Sequence, residues 1–301
     1  TLFPTRRSSD LTSDGMFLLG AYALEHPQSM TLRWLVEEIG KNTGYTVGFL
    51  SHGANTPGAW KAGMVPHRDA RGALLSKPGK TVQQLFGDEP VRAYILLNLD
   101  PEFDVAQSAS ALSALKQAGL VVCFSVFESE AMREYANFIL PIAPYTEETG
   151  TYYNVSGLEQ EVRASSIPYG DAKPAWKIWR VLGHFLELKE FLYASHRDVL
   201  AEIHSLDLMT AKQDITIPLE KGDDLSQSIQ RYAYTPIYNS DPILRRSQPL
   251  AETSLSVEGH VAMNSECARQ RGFEHGQTIT VSQADHAIYL PVIIDDTLPS
   301  G

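Results

Sequence analysis

Apolar positions recur along this chain with two different periods, and the change from one to the other divides it. From Ser29 to Thr43 the residues Met30, Leu32, Leu35, Val36 and Ile39 fall on one helical stripe, and Gly44 follows as a natural stop. Thr46 to Leu50 then reads as a buried strand feeding the loop Ser51 to Gly58. Arg92 to Leu97 and Leu120 to Val126 are apolar strands around a helix over Val105 to Ala118, the spacing of a βαβ unit in a parallel sheet. Ser129 to Tyr135 is a short helix, and Phe138 to Leu140 a strand stopped by Pro141, which has no N–H for a ladder. Pro174 to Leu188 predicts a helix whose apolar residues, from Trp176 to Leu186, cover more than half its circumference, so it is expected to be largely buried. His196 to Leu208 is a second, shorter helix.

After Ser254 the period becomes two. Ser254 to Asn264, Gln277 to Gln283 and Ala287 to Ile294 read as strands, with a helical turn over Ser265 to Arg271 ended by Gly272. The resulting expectation is an α/β domain over 12–208, a connector over 209–253 that includes the apolar-poor stretch Ala211 to Arg231, and a β domain over 254–301. Thr1 to Leu11 resembles the translation of a sequencing adapter. Residues 1–11 are therefore expected to add nothing to the core.

Composition removes several classes of function. Acidic residues outnumber basic ones by 36 to 25, and the net charge of -11 argues against nucleic acid or anionic lipid as a partner. The longest apolar runs, such as Leu120 to Phe127, are too short for direct membrane insertion. Two cysteines, Cys123 and Cys267, are too few for a disulfide framework or an iron–sulfur ligand set, and Cys123 sits in an apolar strand as a small hydrophobe. His52 and His67 have no carboxylate or thiolate at metal-binding spacing, so no metal site is expected.

The stretch from Ala136 to Gln160 carries the densest candidate chemistry. Glu147 and Glu148 are adjacent, and side chains at adjacent extended positions point to opposite faces, which argues against an acid and base pair on one substrate atom. One carboxylate is expected to accept backbone N–H groups while the other faces water. Gly150 is expected to let the backbone turn or approach another surface before an extended run, Thr151 to Val155, that carries Asn154. Upstream, Asn55 either contacts a ligand or holds its own turn, and Asn98 with Asp100 marks a strand end that serves ligand contact or helix capping. There is no phosphate-cradling glycine loop and no nucleophile elbow, so no catalytic residue is assigned.

These segments resemble a known family. Ala136 to Pro141, then Glu147, Gly150-Thr151, Asn154 and Gly157-Leu158-Glu159-Gln160, resemble the segment that crosses the pterin pocket in the molybdopterin oxidoreductase superfamily, with Leu158 where the family has an arginine. Gly53-Ala54-Asn55, Gly58-Ala59-Trp60, Gly63 to Arg68, and Ile237 to Arg246 resemble the G-type subunit of bacterial NADH-quinone oxidoreductase, respiratory complex I. The resemblance runs from about Thr12 onward. It implies a molybdopterin-oxidoreductase-like parallel-sheet domain followed by a partial, truncated C-terminal β-barrel. It also implies vestigial pterin-pocket positions at Asn55, Asn98, Glu147, Gly150, Thr151 and Asn154, with molybdopterin absent and iron–sulfur clusters upstream. The expected partners are other peripheral-arm subunits, at the cytoplasmic face of the inner (plasma) membrane. The alternatives are an active molybdenum or tungsten oxidoreductase of the formate dehydrogenase type and a free-standing α/β binding protein. Leu158 and the Arg245-Arg246 motif favour the scaffold.

Overall fold

The computed structural model describes residues 15–26, 28–189, 191–206, 235–283 and 286–298. These residues fall into two compact units, 15–206 and 235–298. Thr1 to Leu11 and the stretch Ala211 to Arg231 lie outside the described residues.

In the larger unit, β1 (Met16–Leu19) pairs in parallel with β2 (Thr46–Phe49), Met16 opposite Thr46 and Leu19 opposite Phe49. The connection runs through α1 (Ala21–Leu24) and α2 (Ser29–Thr43). As the periodicity predicts, α2 ends at Gly44, whose φ of 79° is left-handed and whose N–H bonds Gly40 O at 2.8 Å. A short helix, α3 (Thr56–Lys61), follows β2.

The main sheet is β3 (Ala93–Leu97), β4 (Leu120–Ser125) and β5 (Phe138–Pro141), parallel throughout with β4 in the middle. Pro141 closes the ladder opposite Ser125, at the end of a strand where its missing N–H is tolerated. Between β3 and β4 the chain forms α4 (Pro101–Asp104) and α5 (Ser108–Gln117). The single helix expected from Val105 starts later, at Ser108, because Val105 is extended at the end of α4, whose first turn is tied by the Asp104 carboxylate accepting the Asp100 N–H at 2.8 Å. After β4 comes α6 (Glu130–Tyr135), capped by the Ser129 hydroxyl.

One core joins these elements: Tyr94 and Leu96 of β3, Ala111 and Leu115 of α5, Val121 and Cys123 of β4, and Met132 and Tyr135 of α6. Burying each large side chain of this set contributes about 1.5–3 kcal/mol. On the other side of β4, fully buried Phe124 takes Trp179 edge-on, with ring centroids 4.9 Å apart.

A hairpin follows, β6 (Gly150–Tyr153) antiparallel to β7 (Glu159–Val162), and then α7 (Ala175–Phe185) and α8 (His196–Ser205). The expectation that α7 is largely buried fails. Only Gly183 is buried in it, and Phe185 is 76% exposed. An apolar ring wider than one helical face cannot be covered by a single packing surface: Trp179 meets Phe124 and Gly183 receives the Phe191 ring, while Val181 and Phe185 face away.

The smaller unit holds α9 (Pro242–Arg245), α10 (Gln248–Ala251), β8 (Val261–Met263), α11 (Ser265–Arg271), β9 (Thr278–Gln283) and β10 (His286–Ile294). Its sheet has β10 in the middle, parallel to β8 and antiparallel to β9. Gly272 ends α11 at φ 69°, as predicted. Of the expected strand Ser254 to Asn264, only Val261–Met263 pairs. No helix among the described residues is long and apolar enough to cross a membrane.

Candidate functional site

Asn55 sits at the start of α3, where its side chain makes no capping bond. Instead its Oδ1 accepts the Tyr153 N–H of β6 at 2.9 Å. The carboxamide oxygen is thus a cross-link between the first loop and the hairpin. Gly58 makes room for it, since a Cβ there would run into the Asn55 carboxamide. Gly63, at φ 74°, lets the chain leave α3 against the backbone of Asp69 and Ala70. Two ring-bearing residues on either side of it, Trp60 and His67, meet edge to face at 5.5 Å. His52 faces Glu25 at 2.8 Å.

Both glutamates of the adjacent pair accept backbone N–H groups, so neither is simply turned to water as expected for one of them. Glu147 takes the Tyr169 N–H at 3.1 Å, and Glu148 takes the Ala175 N–H at the start of α7 at 2.9 Å. A helix start favours negative charge, yet burial outweighs that bond and pushes the Glu148 carboxyl up. The rest of the loop is tied in the same way: Thr146 O receives both the N–H and the hydroxyl of Ser165, and the Thr149 hydroxyl receives the Ala164 N–H at 3.1 Å.

Asn154 holds the hairpin turn. Its Oδ1 accepts the N–H groups of Ser156 and Leu158, at 3.0 and 2.9 Å. The glycine this turn requires is Gly157, at φ 77°; Gly150 has no left-handed φ, and a Cβ there would meet nothing within 4 Å. Leu158 lies at the turn and is 57% exposed. Asn98 is placed in the other sheet, just past β3, in a left-handed conformation at φ 47° with its N–H on Phe124 O.

Sequence reasoning missed the node at Tyr153. This residue is buried, its hydroxyl donates to Glu159, His204 Nε2 stands 3.2 Å from that hydroxyl and 2.7 Å from the same Glu159 oxygen, and Lys61 lies 4.2 Å above the ring. The signal available was the alternation of faces along an extended strand, which puts Glu159 and Glu161 on one side of β7. Glu161 meets Arg197 at 3.1 Å and Arg163 at 3.3 Å. The hydroxyl of Tyr153, then His204, hold the Glu159 carboxyl below the usual range; Arg197 and Arg163 do the same for Glu161. Between β7 and α8 lies a cavity of ≈ 280 Å³, walled by Thr151, both glutamates, His196 and His204. Among the described residues no group of three His, Cys, Asp or Glu is placed to hold a metal ion.

The segment Ile237 to Arg246, in the smaller unit, folds on itself. Asp241 caps α9 through the Ile243 N–H at 2.7 Å, Arg245 donates to Asn239 O at 3.0 Å, and Arg246 to Pro242 O at 3.1 Å.

A parallel α/β sheet flanked by a loop and hairpin that cross-link through side chains defines the class of domain. A family model described as molybdopterin oxidoreductase matches residues 11–185, and the chain belongs to that family. It is 31% identical over 105 residues to the thiosulfate reductase molybdopterin-containing subunit of Salmonella typhimurium, covering 34% of this chain and 14% of that one. It is also 31% identical over 127 residues to the NADH-ubiquinone oxidoreductase 75 kDa subunit of Reclinomonas americana, covering 40% of this chain and 18% of that one. The chain thus spans less than a fifth of either relative. The solved structure of acetylene hydratase from Pelobacter acetylenicus aligns with a TM-score of 0.49 at 16% identity, over 73% of this chain and 37% of that one.

Proposed function

We propose that this chain is a structural, molybdopterin-oxidoreductase-like module of the G-type subunit in the peripheral arm of a proton-translocating NADH:quinone oxidoreductase. It supports electron transfer from NADH to quinone without catalysing a step itself, and iron–sulfur clusters elsewhere in the parent protein carry the electrons. In this reading its partners are other peripheral-arm subunits at the cytoplasmic face of the membrane, and the β8–β10–β9 sheet is the beginning of a barrel.

The observation that carries the reading is how the acceptors of the pocket loop are used. Glu147, Glu148, Asn55 and Asn154 all spend carboxylate or carboxamide oxygens on backbone N–H groups of this chain. An anionic pterin phosphate needs donors, above all cationic ones. At the position where the resemblance places an arginine stands Leu158, and Thr151 faces a cavity bordered by Glu159 and Glu161. Arg197 lines the same cavity, but it is already paired with Glu161 at 3.1 Å, so in this reading it is not offered to a phosphate. The likeness to the Reclinomonas NADH-ubiquinone oxidoreductase protein supports the same reading, and the likeness to a molybdopterin-containing thiosulfate reductase protein supports the second one, a molybdenum or tungsten oxidoreductase.

The deciding experiment uses the intact parent protein. It is purified, denatured, and assayed for released pterin fluorescence and for molybdenum, tungsten and iron. Iron alone is the expected result; stoichiometric pterin with molybdenum or tungsten replaces the scaffold with the molybdoenzyme.

A further inference from the structure

The strands of the main sheet are near-continuous apolar runs, Ala-Tyr-Ile-Leu-Leu in β3, Leu-Val-Val-Cys-Phe in β4 and Phe-Ile-Leu in β5. A sheet with one wet face alternates apolar and polar positions, so runs of this kind belong to a sheet covered on both faces. In register, one face presents Tyr94, Leu96, Val121 and Cys123 to the core under α5 and α6. The opposite face carries two rows that cross all three strands, Ile95, Val122 and Phe138, then Leu97, Phe124 and Leu140. Of these six only Phe124 is buried, against Trp179 of α7, while Ile95 is 51% and Phe138 59% exposed. α7 reaches the row nearer the carboxyl ends of the strands, and both ends of the other row stay open.

The connections within this sheet cannot close them. The chain steps from β3 to β4 to β5 in one direction, and right-handed crossovers taken in one direction all fall on one side. That side is the core face, where α5 and α6 already lie.

We propose that the Ile95 row is the seat of an α-helix with an apolar stripe, contributed by the parent polypeptide from outside these 301 residues. The two rows hold no charged or polar side chain, so whatever covers them must be apolar on the contacting side. Helices are what cover parallel sheets, and α7 has begun such a layer on this face. A second copy using the same face would set two parallel sheets against each other, with no helix between them, which is not how parallel sheets are buried. A source in the same polypeptide follows from length: this chain spans less than a fifth of either relative, which leaves ample sequence to supply one helix. Only the chain's place in a longer protein is taken from the functional reading. Bound pterin and metal would leave this face equally open, so the two tests fail separately.

The test uses the intact parent protein with p-benzoylphenylalanine in place of Phe138, irradiated, digested and mapped. The expected product is a cross-link within one polypeptide, to a peptide outside the 301 residues whose apolar positions recur every three or four residues. A cross-link to a second copy, to another subunit or within the 301 residues overturns the proposal, and so does the lack of any cross-link. Should the larger side chain disturb folding, hydroxyl-radical footprinting of the unaltered parent decides. Phe138 oxidised no more than buried Phe124 supports the helix, and Phe138 oxidised several-fold more overturns it.

Discussion

Tyr153 donates its backbone N–H to the side chain of Asn55, 98 residues earlier in the chain, at 2.9 Å. With Gly58 shaped to admit the carboxamide, this bond makes the loop after β2 and the hairpin β6–β7 one structural piece.

Asn55→Ala is therefore expected to destabilise the larger unit by about 1–3 kcal/mol, the cost of a half-buried N–H left without its acceptor. Asn55→Asp, which keeps an acceptor oxygen, is expected to lose less. Urea midpoints of the three proteins check the order, and equal midpoints would remove the cross-link from the account.

The two glutamates around the hairpin respond to pH in opposite directions. Glu159 is held below its ordinary value of 4.5 by Tyr153 and then His204, so it stabilises the fold above 4.5 and that contribution is lost as pH falls through the lowered value. Glu148 is raised by burial, so its charged form opposes folding above the raised value and the penalty is relieved as pH falls. Glu159→Gln is expected to destabilise at neutral pH and to match the unaltered protein below the lowered value. Glu148→Gln is expected to be neutral or stabilising at neutral pH, with the advantage vanishing in acid. Denaturation midpoints across the acid range measure both.

Thiol reagents should separate the two cysteines. Burial and the Glu102 charge push the Cys123 thiol up to about 11, whereas Cys267 is partly accessible. One thiol is expected to react in the native protein and the second only on unfolding; labelling followed by peptide mapping identifies which. Native labelling of Cys123 would show that the β4 core opens readily.

Two glycines of one hairpin should differ. Gly157→Ala places a side chain at φ 77° and is expected to cost about 1–2 kcal/mol. Gly150→Ala meets empty space at an ordinary φ and is expected to be neutral or to stabilise by up to about 1 kcal/mol. Thermal melts of the two variants compare them directly.

Those two glycines also show what a sequence conveys and what it hides. Period and punctuation place α2 with its Gly44 stop, the strands β3, β4 and β5, and α11 with Gly272, because each depends on neighbours a few residues away. Which glycine turns the hairpin depends on where Asn154 bonds, and that is not visible in a strand pattern. β1 was missed because four apolar residues carry no period, and its partner strand begins only at Thr46, beyond two helices. The Tyr153, Glu159 and His204 node brings together β6, β7 and α8, and no local spacing announces such a meeting. The exposed face of α7 fails for a related reason: amphipathic breadth shows how much surface could be buried, while the neighbours decide how much is.

The two three-stranded sheets also differ in the order in which they can assemble. β9 and β10 pair antiparallel across a two-residue connection, the arrangement that closes in about 1–10 μs. β3, β4 and β5 are parallel, so each pairing must wait for the helices between the strands, and the core around Leu115, Val121 and Met132 is complete only when both crossovers are in place. In pulse-labelling hydrogen exchange during refolding, amides of the hairpin would be protected early and those of β4 late. The late-forming middle strand, rich in Val, Cys and Phe, is then the segment that a chaperone or an aggregation contact would meet during that delay.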